Sequence, residues 1–361
     1  MVLNKAVNRD SSPQHTASPQ RSCAVDVVRL IATLLVVSVH FFLNNGYYNY
    51  PMEGKRMFVM TLIRSLCMSC VPLFMILTGY LSSRKKLSGR YYKGVIKTAC
   101  IYVLSSFACA IYKVLAQQVT YTPMEILDGL RLFTLANYSW YIEMYFGLFL
   151  LAPFINLLYH GLESRRQKQV LILTMIFLTA VPVFVNWWSG IYPVTYYLLG
   201  AYIREYGFPV KKSIAAILLP VTVTALALVC FHESYGGYFR WGSYQAYEGL
   251  PCLVISVMIF GLLINLPTQN WSVFFKKMLE KAANLCLGAY LLSYIFDSLF
   301  YPVLNSRVPD VIYRLEYMPV MVPCVFLCSL ALSWVVDLVY HLLQKTVSAI
   351  WTVRRVDQTV H

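Results

Sequence analysis

The sequence predicts an all-α, polytopic transmembrane helical bundle of about ten spans with both termini in the cytoplasm. Three observations carry this. Of the 361 residues, 58% are hydrophobic and only 13% charged, whereas soluble domains carry about 25% charged residues; the mean hydropathy is +0.58. Apolar runs near the length of about 20 residues that a bilayer requires recur along the chain. Basic residues collect in alternate gaps between these runs, which is the distribution that sets membrane orientation.

Residues 1–22 are polar and rich in Ser, Pro and Gln, the composition of a disordered tail, and lack the apolar stretch of a signal peptide. Runs able to span then follow at 24–43, 57–81, 95–116, 139–159, 170–187, 192–206, 213–231, 248–266, 283–302 and 317–343. The sixth, YPVTYYLLGAYIREY, is short, and the ninth is interrupted by Asn284, Ser293 and Asp297. The membrane domain therefore occupies 23–343, followed by a cytoplasmic tail at 344–361. With the N-terminus inside, the inner segments hold 21 of the 30 Lys and Arg residues and the outer segments seven. The net charge of +14 thus reports topology and gives no reason to expect nucleic acid as a partner. Cys67 and Cys70 form a CxxC inside a span with no second pair at metal spacing, so they read as small buried residues, and no metal site is expected.

The first span carries the most informative pair. Arg29 and His40 both lie in AVDVVRLIATLLVVSVHFFL (24–43), and ionisable side chains at membrane depth are functional candidates by default. Eleven residues apart, they sit about 20° from each other around a helix and about 16 Å apart along it. Thr33 and Val36 share that stripe, and Asp26 lies one turn before Arg29. Snorkelling to the headgroups is the rival reading for Arg29, and a wetted interface position is the rival for His40. The outer loops NNGYYNYPMEG (44–54) and HESYGGYFRWGSYQAYEG (232–249) are rich in aromatic residues. These suit interface anchoring and also stacking on sugar rings.

Arg, ten residues, then His in the first span resembles the signature of the membrane-bound acyltransferase-3 family, O-acyltransferases that modify sugars and lipids. Four further stretches support the resemblance. VPLFMILTGYL (71–81) is similar to the family's second-span motif, with Thr78-Gly79 in place of Ser-Gly. SWYIEMYFGLFLLAPFINLL (139–158), with Trp140, resembles its Trp-aromatic-Leu span, and YYLLGAYI (196–203) its short Leu-Leu-Gly-Tyr span. LCLGAYLLSYIF (285–296), with Tyr290, resembles the late Tyr-Leu-Leu-His span but has Ser293 where many relatives carry His. The family's Arg-x-x-Arg in the first cytoplasmic loop is Arg90-Tyr-Tyr-Lys93 here.

The resemblance implies a donor and an acceptor. The loop with Arg84, Lys85, Lys86, Arg90, Lys93 and Lys97 is the richest inner loop in basic residues, and a polyanionic acyl-CoA donor would dock there. Positive-inside topology explains the same charges without a ligand. Arg64, Glu143, Asn156, Asn284, Tyr290, Asp297 and Asp337 fall in or at the edge of spans, where some serve as partners between helices. Glu143, beside Trp140 and Tyr141, lies near the outer end of its span as His40 does in the first, and the two could meet as a carboxylate–imidazole pair.

The reading is an enzyme of the bacterial cytoplasmic membrane. It moves an acyl group, foremost acetyl from acetyl-CoA, to a hydroxyl of a cell-surface sugar or lipid-linked glycan. Catalytic work falls to His40, Arg29 and Glu143, with Asp26, Thr78, Gly79, Trp140 and Tyr290 in support. Acetyl-CoA is a co-substrate, and no permanently bound cofactor is expected. The rival is a transporter of lipid-linked sugars or anionic small molecules, which intramembrane Arg, His, Glu and Asp would also suit. No Gly-x-Ser-x-Gly, Walker loop or His-Glu-x-x-His occurs, so neither a serine triad nor ATP-driven transport is supported.

Overall fold

A computed structural model describes residues 22–184 and 187–359, with side chains as far as residue 348. The tail expected at 1–22 lies almost wholly outside the described residues. The helices are α1 (Cys23–Asn44), α2 (Gly54–Cys67), α3 (Cys70–Ser82), α4 (Gly89–Lys93), α5 (Ile96–Gln117), α6 (Pro123–Arg131) and α7 (Trp140–Gly161). They continue with α8 (Arg165–Ala180), α9 (Tyr192–Tyr206), α10 (Lys212–Ser234), α11 (Leu250–Ile264), α12 (Val273–Arg307), α13 (Val311–Arg314) and α14 (Met318–Thr359). No strand occurs among the described residues, and one isolated bridge joins Met52 to Tyr235. The all-α polytopic bundle is as expected.

The count of ten spans is not confirmed. Helix forms in all ten predicted runs. Among the described residues, seven segments are long and apolar enough to cross a membrane: Cys23–Asn49, Gly54–Ser82, Gly89–Gln117, Trp140–Gly161, Lys212–Ser234, Val273–Arg307 and Val311–Ser348. The other three, α8, α9 and α11, have 16, 15 and 15 residues. At 1.5 Å per residue they reach about 22–24 Å, short of a hydrocarbon core of about 30 Å. α9 is nevertheless deeply enclosed, with Tyr196, Tyr197, Leu198 and Ala201 all buried. The last helix continues through 344–359, where a tail was expected.

Local chemistry explains the breaks. The span Gly54–Ser82 is interrupted between α2 and α3 because Pro72 has no N–H for the Met68 carbonyl. The Cys252 thiol donates to that carbonyl instead, at 3.3 Å. Ser88 caps α4, its hydroxyl accepting from the Tyr91 N–H at 3.2 Å.

Packing then places the site. α12 lies against α14, α1 and α5, and α3 lies along α9. That last contact is backbone on backbone. A Cβ added to Gly79 would sit 2.0 Å from the Tyr197 carbonyl oxygen, and one added to Gly200 would sit 2.0 Å from that of Ile76. The two glycines interlock, which holds the cavity-lining face of α3 in position. At the far end of α12, the buried Arg314 donates to the carbonyls of Asn45, Asn305, Val308 and Pro309. It ties the end of α1 to the turn after α12.

Candidate active site

His40 lies near the end of α1, buried against α12. Its Nδ1 is 3.4 Å from Asp297 Oδ2 and 3.3 Å from Ser293 Oγ. The surrounding donors assign the tautomer. Ser293 gives its own proton to the Tyr290 carbonyl at 2.8 Å, so its oxygen is an acceptor toward the ring. Asp297 is acceptor-only when ionised, and it already receives the Tyr138 hydroxyl at 3.0 Å. Nδ1 therefore carries the proton and shares it between Ser293 and Asp297. Nε2 has no hydrogen bond among the described residues, and in the neutral ring it carries the lone pair.

Side chains from three elements lock this arrangement. The Tyr138 ring covers the imidazole, with centroids 3.7 Å apart. Asn44, one turn after His40, donates to the His40 carbonyl at 2.8 Å and to the Tyr138 hydroxyl at 3.3 Å. Tyr138 comes from the loop 132–139, where Phe133 takes a left-handed φ of 54°. Lys113 holds that loop by donating to the Leu135 carbonyl at 2.9 Å. The Tyr290 hydroxyl donates to the Tyr138 carbonyl. Asp297 is 1% exposed, and its Oδ1 has no hydrogen-bond partner.

A cavity of about 430 Å³ runs beside this cluster toward the basic loop. Arg29, Lys85, Lys97 and Asp337 line it at the basic end, and Tyr141 and Tyr290 toward His40. Tyr290 stands between cavity and imidazole, its ring centroid 6.4 Å from that of His40. Arg29 pairs with the buried Asp26 at 3.5 Å, and Lys97 pairs with Asp337 at 3.1 Å.

The predicted residues divide accordingly. Arg29 and Thr78 line the cavity, as does Tyr290, and Gly79 makes the α3–α9 contact. Trp140 is half exposed and stacks on Tyr247 at 5.8 Å. Glu143 does not meet His40: it lies on an exposed face of α7, and the carboxylate at the imidazole is Asp297. Of the basic loop, Lys85 and Lys97 line the cavity, while Arg84, Lys86, Arg90 and Lys93 are exposed outside its lining. The loop is anchored, because Asn156 on α7 donates to the carbonyls of Ser82 and Lys85, each at 2.8 Å. Cys67 and Cys70 are buried free thiols.

Tyr138 and Asn44 were not singled out in the sequence. Tyr138 lies in a loop, where no periodicity marks a facing residue. The partnership of Asp297 did have a signal: Tyr290, Ser293 and Asp297 fall at intervals of three and four on one face of α12.

Membrane-length helices thus enclose a buried histidine–carboxylate pair, with a cavity lined by Arg29, Lys85 and Lys97 beside it. Residues 24–338 match the family model described as an acyltransferase domain, so the chain belongs to the acyltransferase-3 family. No curated protein and no solved structure matches it.

Proposed function

We propose that the protein is an O-acetyltransferase of the bacterial cytoplasmic membrane, moving acetyl from cytoplasmic acetyl-CoA to a hydroxyl of a cell-surface sugar or lipid-linked glycan. One arrangement supports this reading above all: an imidazole whose Nδ1 proton is held by Asp297 and Ser293, beside a cavity that leads to Arg29 and Lys85. An unprotonated Nε2 can take the proton of an acceptor hydroxyl. The hydroxyl oxygen then attacks the thioester carbonyl carbon and the C–S bond breaks. The thiolate leaves and recovers the proton from the imidazolium as free thiol. The Asp297 carboxylate stabilises the imidazolium between those two transfers.

Arg29 and Lys85 supply positive charge to the donor's phosphates or carbonyl along the cavity. Arg84, Lys86, Arg90 and Lys93 draw the polyanionic nucleotide to its mouth. The pantetheine arm is long and narrow, which suits the cavity from Arg29 to Tyr290, and it can cover the distance of about 16 Å that separates Arg29 from His40 along α1. In this orientation the N-terminus and the loop at 82–97 are cytoplasmic, and the aromatic loops at 44–54 and 232–249 face the acceptor. Glu143 has no part in the scheme.

The test is chemical analysis of surface glycans from cells with and without the gene. The expected result is loss of ester-linked acetyl groups from one glycan, restored by the wild-type gene and not by His40→Ala. An unchanged ester content on every surface glycan contradicts the proposal.

A further inference from the structure

Arg64 on α2 is fully buried, and no ion pair joins it to a carboxylate among the described residues. Its Nε donates to the Tyr48 hydroxyl at 3.0 Å, while Nη1 and Nη2 have no hydrogen-bond partner. Aromatic rings surround the guanidinium: its central carbon lies 4.3 Å from the ring centroid of Phe239, 4.9 Å from Trp241 and 5.5 Å from Tyr48. Ring faces offset part of the cost of burying a cation, but they offer its N–H groups no acceptor. A buried fork of two unused donors has the geometry that receives two oxygens of a carboxylate or phosphate.

The covering rings come from two loops. Tyr48 belongs to 44–54, and Phe239 and Trp241 belong to 232–249. The loops are joined through Met52, whose N–H donates to the Gly237 carbonyl at 2.8 Å. Tyr48 and Trp241 stack with centroids 5.3 Å apart, and Trp241 is 63% exposed. An aromatic platform thus lies directly over a guanidinium with unused donors. Tyr47 links this cluster to α1, packing on Phe42 at 5.4 Å, two residues beyond His40. Arg64 and the histidine therefore occupy the same end of the bundle.

We propose that Arg64, with Tyr48, Phe239 and Trp241, forms a receptor for an anionic sugar, the oxyanion meeting the Arg64 fork and the ring stacking on the aromatic platform. This rests on the acceptor being a glycan, and it narrows that acceptor to one bearing a carboxylate or phosphate.

The test is equilibrium binding of radiolabelled glucuronate, glucose 1-phosphate and glucose to the purified full-length protein in detergent. No acyl donor is present, so the outcome is independent of whether acetyl transfer occurs. At least one anionic sugar should bind tenfold or more tighter than glucose, and the two anionic arms separate a carboxylate from a phosphate source. Arg64→Gln should abolish that preference and Arg64→Lys should retain part of it. Trp241→Ala, a substitution at an exposed position, should weaken the anionic sugar at least fivefold. Glucose binding as tightly as both anions, a preference that survives in Arg64→Gln, or unchanged binding in Trp241→Ala would each overturn the proposal. If Arg64→Gln does not fold, the Trp241→Ala and Arg64→Lys results decide it.

Discussion

Replacing Asp297 by Asn lowers acyl transfer about 10²–10⁴-fold without unfolding the protein. The substitution preserves the shape of a side chain that is 1% exposed. It removes the negative charge 3.4 Å from His40 Nδ1, which stabilises the imidazolium formed when the acceptor gives up its proton. Ser293→Ala is the comparison. It deletes a neutral acceptor 3.3 Å from the same nitrogen, a contact worth about 0.5–1.5 kcal/mol, and should slow transfer by about tenfold or less. Initial rates at saturating donor, with thermal melts on the same preparations, check both. Equal losses in the two variants would mean that the carboxylate's charge is not what matters. Glu143→Gln should leave the rate within a few-fold of wild type, since Glu143 lies on an exposed face away from the imidazole.

Gly200→Ala is expected to produce the largest loss of stability. Its new Cβ would stand 2.0 Å from the Ile76 carbonyl oxygen and 2.7 Å from the Tyr80 nitrogen. Both obstacles are backbone, so no rotamer change relieves the clash and α3 must move away from α9. Overpacking of this kind costs about 1–3 kcal/mol, and more where the backbone must shift. Gly79→Ala meets Tyr197 in the same way and should behave alike. Gly147→Ala on α7 has nothing within 4 Å of its Cβ and should melt like wild type. Activity should fall with stability in the first two variants, because α3 carries Phe74, Leu77 and Thr78 on the cavity wall. Melting midpoints in detergent for the three variants check this; a Gly200→Ala midpoint equal to that of Gly147→Ala would refute the interlock.

Much of the fold was legible because hydropathy and helical period are local properties. Helix covers each of the ten apolar runs, the second of them as α2 and α3, yet among the described residues seven segments are long and apolar enough to span. A run's apolar content reports burial of either kind, in lipid or among other helices. α9 is buried by its neighbours and is too short at 15 residues to claim a crossing by length. The stripe on α1 was likewise legible, since spacing within one helix determines a shared face. Spacing does not say which other helix that face meets. Position within its span put Glu143 near the depth of His40, and only packing of α12 on α1 selects Asp297. The basic loop shows the same limit: charge density marked the segment, but which side chain turns toward the cavity depends on the anchoring of its backbone by Asn156.

In the proposed acyl transfer, His40 moves the proton. The most direct test of this role is incubation of the purified protein, reconstituted in liposomes, with acetyl-labelled acetyl-CoA and the surface glycan fraction of the cells that make it. The expected result is label in ester linkage to glycan with wild type, a rate lower by about 10²–10⁴-fold with Asp297→Asn, and no transfer above background with His40→Ala. Transfer by His40→Ala at the wild-type rate, or no transfer by wild type to any acceptor in the fraction, would contradict it.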